Sequence, residues 1–348
     1  MSSIEAYHHS VVKIGGISKN RGKAQQVQQT PHSQHSESAF LTEIFSSKPK
    51  MSSSPVYGNF TSILPTSAVV FHAALNVFLS ITAVLGNALI LTALRKVSSV
   101  HPPTKLLFQC LAVTDLCVGL ITQPLFVMLL LTVVPKVYLY VALNATGLVL
   151  CGVSILTSTA ISVDRLLALL LGIRYRHVVT LRRVCIVIFC LWLTGVSAAL
   201  LYIFLGDFIG RSAALVLVLI SVVTSVISYT KIFLKLRNKQ AQVTERHARK
   251  GQANEVGIPL NIARYKKTVS SIACVQLALV VCYLPYIISC IIGPINGWRD
   301  GARIAWYFSA TLVYLNSSLN PILYCWKIKE VRQVVKDTLK QFCCLTSC

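Results

Sequence analysis

Seven windows of the chain run with almost no charged side chain: Ala68–Leu94, Leu106–Thr132, Val137–Val163, Val184–Leu205, Ala213–Thr230, Thr268–Ile295 and Ile304–Trp326. A helix needs about 20 apolar residues to cross a hydrocarbon core about 30 Å thick. Each window is close to that length or longer, so the pattern predicts seven membrane-spanning helices. Two windows depart from the rule: the second contains Asp115, and the third stops against Asp164. The fold class that follows is an all-α membrane protein, a seven-helix bundle over residues 67–327.

Residues 1–66 are polar, rich in Ser, His and Gln, and carry no apolar periodicity. They are expected to be a disordered tail. No stretch near Met1 has the form of a cleaved signal peptide, so the first span acts as its own insertion signal. Met51 opens a shorter tail, Met51–Pro65, and is an alternative start. That tail holds Asn59-Phe60-Thr61, an N-glycosylation acceptor triplet. After the seventh span, Ile328, Val331, Val335, Leu339 and Phe342 recur at helical spacing, with Lys329, Arg332, Lys336 and Lys340 on the other side. Residues 328–348 are therefore expected to form an amphipathic helix and a cysteine-containing tail on the membrane surface. Palmitoylation of Cys343 and Cys344 would add an anchor; free thiols on a solvated tail are the alternative.

A composition 54% apolar and 13% charged, with mean hydropathy +0.66, is far from that of soluble domains, which are about one-quarter charged. A net charge of +22 would alone suggest nucleic acid, but the placement of the charges excludes it. The first, third and fifth connections and the tail hold 23 of the 33 Lys and Arg. The opposite connections hold only Lys136, Arg211, Arg299 and Arg303. The positive-inside bias then puts the N-terminus outside the cell membrane and the C-terminus inside, with the basic face against anionic inner-leaflet lipid. The N-terminal segment, with six Lys and Arg, runs against the bias. Lys231–Lys267 is the longest inner connection, and the second outer one is short, about Gly206 to Ser212. The outer segments contain no cysteine, so no extracellular disulfide is expected.

A carboxylate in a spanning helix costs about 3 kcal/mol unless it faces the bundle interior. Asp115 and Ser154 lie at similar depth, about 15 Å from the inner surface at 1.5 Å per residue. Asn87, Asn316, Ser317 and Asn320 can reach the same level. Such oxygens make either a site for a small hard cation or a proton, or a hydrogen-bonded packing node; spacing leaves both open. Asp164-Arg165 is either a neutralised interfacial pair or an arginine that changes partners. Pro124, Pro285 and Pro321 each remove a backbone hydrogen bond within a span, giving hinges or static kinks.

One motif per span resembles the rhodopsin-like, or class A, G-protein-coupled receptors over residues 68–344. The residues are Gly86-Asn87, Leu111-Ala112-Val113-Thr114-Asp115-Leu116, Asp164-Arg165-Leu166, Trp192, Tyr229, Cys282-Tyr283-Leu284-Pro285 and Asn316-Ser317-Ser318-Leu319-Asn320-Pro321-Ile322-Leu323-Tyr324. The resemblance implies that Arg165 engages a heterotrimeric G protein when the sixth helix swings out, with Tyr283 and Pro285 as the hinge of the sixth span and Pro321 as that of the seventh. Tyr229 and Tyr324 would turn inward, and Lys266 and Lys267 would contact the G protein. Asp115, Ser154, Asn316 and Asn320 match the family's sodium pocket, beside Asn87. Departures are present too. Tyr140 replaces the usual cysteine, Ser221 the proline of the fifth span, Tyr283 the frequent tryptophan, and Leu166 the tyrosine after the arginine. Tyr265 stands where an acid restrains the arginine in some relatives, which implies ligand-independent signalling.

Gly147 occupies the place of the amine-binding aspartate, and Tyr314 that of the retinal lysine, which disfavours both ligand types. The short second outer loop resembles the branch of melanocortin, cannabinoid, lysophospholipid and adenosine receptors. Leu125, Tyr140 and Asn144 stand where melanocortin receptors carry an acidic cluster. The expected pocket is Gln123, Asn144, Gly147, Cys151, Tyr283, Tyr286, Cys290, Trp306 and Tyr314. A lining this apolar and aromatic suits a lipid or another weakly charged small molecule from outside, although part of the set can be helix packing alone. A transporter predicts internal repeats, and none stands out. A seven-helix protein that does not couple remains a further alternative. No nucleophile–base or metal-ligand constellation points to an enzyme or a cofactor, an allosteric sodium ion apart.

Overall fold

The computed structural model describes residues 64–97, 100–132, 137–250, 277–297, 299–327 and 332–337. Among them the order is α1 (Thr66–Lys96), α2 (Pro102–Cys117), a π-helical turn (Val118–Thr122), α3 (Gln123–Leu131) and α4 (Val137–Leu171). A 3₁₀ turn (Gly172–Arg174) leads to the short α5 (Tyr175–Val178), then α6 (Leu181–Leu205) and α7 (Asp207–Lys250). The described part of the sixth span is α8 (Leu277–Ile295), and α9 (Asp300–Lys327) is the seventh.

The helices are built inside out relative to those of a water-soluble protein. On α1, Phe71, Phe78 and Leu85 recur every seven residues and are exposed, whereas Ala73, Asn76, Ala83 and Asn87 are buried. Large apolar side chains face outward as lipid requires, and small or polar ones face the neighbouring helices. Among the described residues, six helical segments are long and apolar enough to cross a membrane. The seventh span, α9, is 28 residues long but more polar. Its Ser309, Thr311, Asn316, Ser317, Ser318 and Asn320 are all buried, so that polarity is spent on helix contacts. The central element is α4, which packs on α2, α6 and α7, while α9 packs on α1 and α2.

Several boundaries correct the expectations. The second outer connection, expected over Gly206 to Ser212, shrinks to Gly206, whose φ of 91° suits glycine. Asp207 already opens α7. One turn later, a Cβ on Gly210 would lie 2.5 Å from Tyr202 Cβ, so a bare glycine lets α6 and α7 close up directly after the turn. At its other end α7 runs on to Lys250, making the first part of the expected Lys231–Lys267 connection helical. That stretch is rich in Lys, Arg, Gln and Leu and free of Gly and Pro, which favours continuation.

The expected disturbance at Pro124 takes the form of the π turn just before it. The Gln123 N–H reaches back to the Val118 carbonyl, and Ser80 Oγ on α1 donates to the Gly119 carbonyl at 2.7 Å. In α9, Pro321 lies against Gly86, where a Cβ would come within 2.8 Å of the proline ring. Residues 332–337 are helical. Val334 and Val335 there pack on a cluster of Ile90, Ala93, Leu94 and Ala112, which puts Val335 on the expected apolar side.

Candidate functional site

Three polar or open regions follow one another along α4, from the Gly206 end of the bundle to the Arg165 end. The middle one centres on Asp115, which is fully buried. Ser154 Oγ on α4 donates to its Oδ1 at 2.7 Å and Ser317 Oγ on α9 at 2.8 Å, while Asn320 Nδ2 donates to Oδ2 at 2.7 Å. Asn87 Nδ2 donates to the Ser317 carbonyl at 3.1 Å, drawing α1 into the same knot. Among the described residues no Lys, Arg or His forms an ion pair with Asp115. Asn316 is buried, but its Nδ2 finds no hydrogen-bond partner among the described residues. Ser317, its neighbour, is the residue that touches the carboxylate.

At the Arg165 end, Arg165 Nη2 contacts Asp164 Oδ2 at 2.6 Å and donates to Thr104 Oγ1 at 2.8 Å. Thr104 in turn donates to Asp164 Oδ2 at 3.0 Å, and Tyr175 donates to Oδ1 at 2.6 Å. Asp164 is 4% exposed and Arg165 28%, so the acid is locked inside while the base lies partly open. Thr104 and Tyr175 were invisible as site residues, because their contacts to Asp164 span 60 and 11 positions. Tyr229 on α7 reaches Ser162, two residues before this pair. The Tyr324 side chain, Lys266, Lys267, Asn59, Cys343 and Cys344 lie outside the described residues.

Toward the Gly206 end lies a cavity of about 90 Å³ between α4, α6, α7, α8 and α9. Asn144, Gly147, Cys151, Tyr283, Tyr286, Cys290, Trp306 and Tyr314 line it, as expected. Gln123 does not; it is fully buried elsewhere, with neither end of its amide partnered among the described residues. The π turn adds a residue to one turn and shifts the phase of everything after it, which a regular helix does not anticipate. Tyr283 Oη donates to the Cys151 carbonyl at 3.3 Å, tying α8 to α4 two residues before Pro285. Arg211 and Tyr202 line the cavity as well. The signal for Arg211 was its i,i+4 spacing from Asp207, which marks a helix rather than a loop. A second polar node joins α1 to α9: Asn76 Nδ2 donates to Thr311 Oγ1 at 3.1 Å, and that hydroxyl lies 3.0 Å from His72 Nε2.

The chain belongs to the 7 transmembrane receptor (rhodopsin) family, whose model matches residues 86–212 and 207–324. It is a G-protein-coupled receptor and a multi-pass membrane protein, in a family of receptors rather than enzymes. It is similar to adenosine receptor A3 of Ovis aries, 26% identical over 309 residues, covering 81% of this chain and 93% of that one. It is similar to trace amine-associated receptor 8 of Homo sapiens, at 26% over 314 residues, with 80% and 90% covered. The histamine H2 receptor of Cavia porcellus matches at 26% over 297 residues, with 77% and 78% covered. Relatives named for adenosine and for amines stand side by side, so overall similarity does not select a ligand.

Proposed function

We propose that this receptor lies with its Gly206 end outside the cell and binds a lipid or another weakly charged small molecule in the cavity. Binding would bias the α8 hinge at Tyr283 and Pro285 and free Arg165 for the C-terminal helix of a G-protein α-subunit. Tyr229 and Tyr324 would turn inward, with Pro321 as a second hinge, and Lys266 and Lys267 would contact the G protein. One observation carries the reading: Cys151, Ser154 and the Asp164-Arg165 pair sit on one helix, so α4 touches the cavity, the Asp115 knot and the Arg165 end.

Asp115 would serve as a switch rather than only as packing. A buried carboxylate with three donors and no cationic partner favours a proton or a small hard cation. The oxygens of Asp115, Ser154 and Ser317 would hold sodium, with Asn316 and Asn320 nearby, stabilising the resting state. An amine ligand is disfavoured, because no carboxylate lines the cavity among the described residues. Asn59 is proposed to be glycosylated outside, and Cys343 and Cys344 to be palmitoylated inside.

Arg165→Ala tests the coupling. With a panel of chimeric G proteins and no added ligand, the intact receptor is expected to signal above mock-transfected cells, and the variant is expected to fall to mock at equal surface expression. Undiminished activation in the variant would overturn the reading.

A further inference from the structure

Arg211 is the one charged side chain among the described residues that line the cavity. Its Nη2 pairs with Asp207, and its Nη1 donates to Tyr140 Oη at 3.3 Å. Arg211 is 13% exposed and Asp207 10%, so both charges are largely withdrawn from solvent. Asp207 does not line the cavity. It lies in the first turn of α7, where the free backbone N–H groups favour a negative charge by themselves. Its charge therefore keeps part of its compensation when one edge of the guanidinium turns toward another anion. A guanidinium presents five donors in a planar fork, which fits an oxyanion on one edge while other donors stay engaged. The walls around it are apolar and aromatic, with Leu215, Val218, Ile287, Trp306 and Val313 among them.

We propose that the ligand of this cavity is an anion, an apolar body with one oxyanion head held by Arg211, in competition with Asp207 as its built-in counter-ion. The head is a carboxylate or a phosphate ester, since both offer paired oxygens to the fork. This rests on the cavity being the receptor's ligand site, and it names the ligand's charge. Asp207 lowers affinity by occupying the guanidinium, and it spares the empty receptor an unpaired buried cation.

The test is a thermal-unfolding titration of the full-length receptor in phosphatidylcholine nanodiscs. Probes are oleate against oleyl alcohol, oleoyl lysophosphatidate against monoolein, and oleylamine. At least one acid is expected to act at a concentration about tenfold or more below its neutral counterpart, with the amine inert; the two acids distinguish carboxylate from phosphate. Asp207→Asn is expected to move the acid titration to severalfold lower concentration. Removing Arg211 alone would strand Asp207, so Asp207→Asn with Arg211→Gln removes both charges together. That double variant should lose about a hundredfold in acid affinity, as expected for a buried charge contact, and bind acid and alcohol alike. Neutral probes as effective as acids, preference for the amine, silence of every acid, or acid preference surviving in the double variant would each overturn the proposal. Gly147→Leu fills the cavity. Neutral binding abolished by it overturns the acidic head alone, whereas acid binding that survives it overturns the cavity reading as well.

Discussion

Tyr175 donates its phenolic proton to Asp164 Oδ1 at 2.6 Å, so the acid beside Arg165 is gripped from the connection between α4 and α6. Thr104 at the start of α2 completes the ring: it donates to Asp164, accepts from Arg165 and lies 2.9 Å from the Tyr175 hydroxyl. In the proposed switch, a carboxylate held this way would keep Arg165 in the resting arrangement. Tyr175→Phe removes one bond to the acid while keeping the ring packing. A resting state weakened by about 1 kcal/mol shifts the equilibrium roughly fivefold. Ligand-independent nucleotide exchange in membranes is therefore expected to rise severalfold at matched surface expression. A rate at or below that of the parent receptor would contradict this role for Tyr175.

Sodium should report on Asp115. Exchanging choline for sodium chloride at constant ionic strength is expected to lower basal activation of the parent receptor. In Asp115→Asn the amide oxygen can still accept from Ser154 and Ser317, but its nitrogen would face Asn320 Nδ2, donor to donor. The variant loses the charge and one hydrogen bond, about 1–2 kcal/mol. Its activity is expected to be the same in both salts. If the parent receptor is equally indifferent to the cation, the knot is packing alone.

Much of the bundle was legible because lipid permits so few solutions: length and freedom from charge located every described span. Asp115 was legible for the same reason, since a carboxylate in hydrocarbon needs a cause. Which of two adjacent residues meets it was not legible. Asn316 and Ser317 differ by about a hundred degrees around α9, and only the packed helix shows that Ser317 faces the acid. Eight of nine expected cavity residues line it, while the π turn moved Gln123 out of phase. Thr104 and Tyr175 meet Asp164 only through long-range folding, beyond any local pattern. The charge-free window begins only at Ala213 and leaves Arg211 in the connection, whereas α7 starts at Asp207.

Orientation rests on charge and is open to direct measurement. An epitope placed before Met1 or just before Met51 is expected to be seen on intact cells, and one after Cys348 only once cells are permeabilised. The reverse staining would turn the cavity toward the cytoplasm and remove the signalling scheme with it.

Three glycines should rank by what a methyl group would meet. At Gly210 it would meet Tyr202 Cα at 2.7 Å, and backbone cannot swing aside, so α6 and α7 must separate. At Gly86 it would meet Pro321 Cγ at 2.8 Å, a ring with limited play. At Gly147 the nearest atom is Thr122 Cγ2 at 3.8 Å, an ordinary contact. Overpacking costs about 1–3 kcal/mol, whereas alanine gains about 1 kcal/mol over glycine within a helix. The gain stands alone at Gly147, is offset by the contact with the proline ring at Gly86 and is most strongly outweighed against the backbone at Gly210. Thermal unfolding of the purified variants should therefore give Gly147→Ala a Tm at or above the parent receptor, Gly86→Ala one at or below it, and Gly210→Ala the lowest. A Gly210→Ala receptor as stable as the parent would mean that α6 and α7 do not close on that glycine.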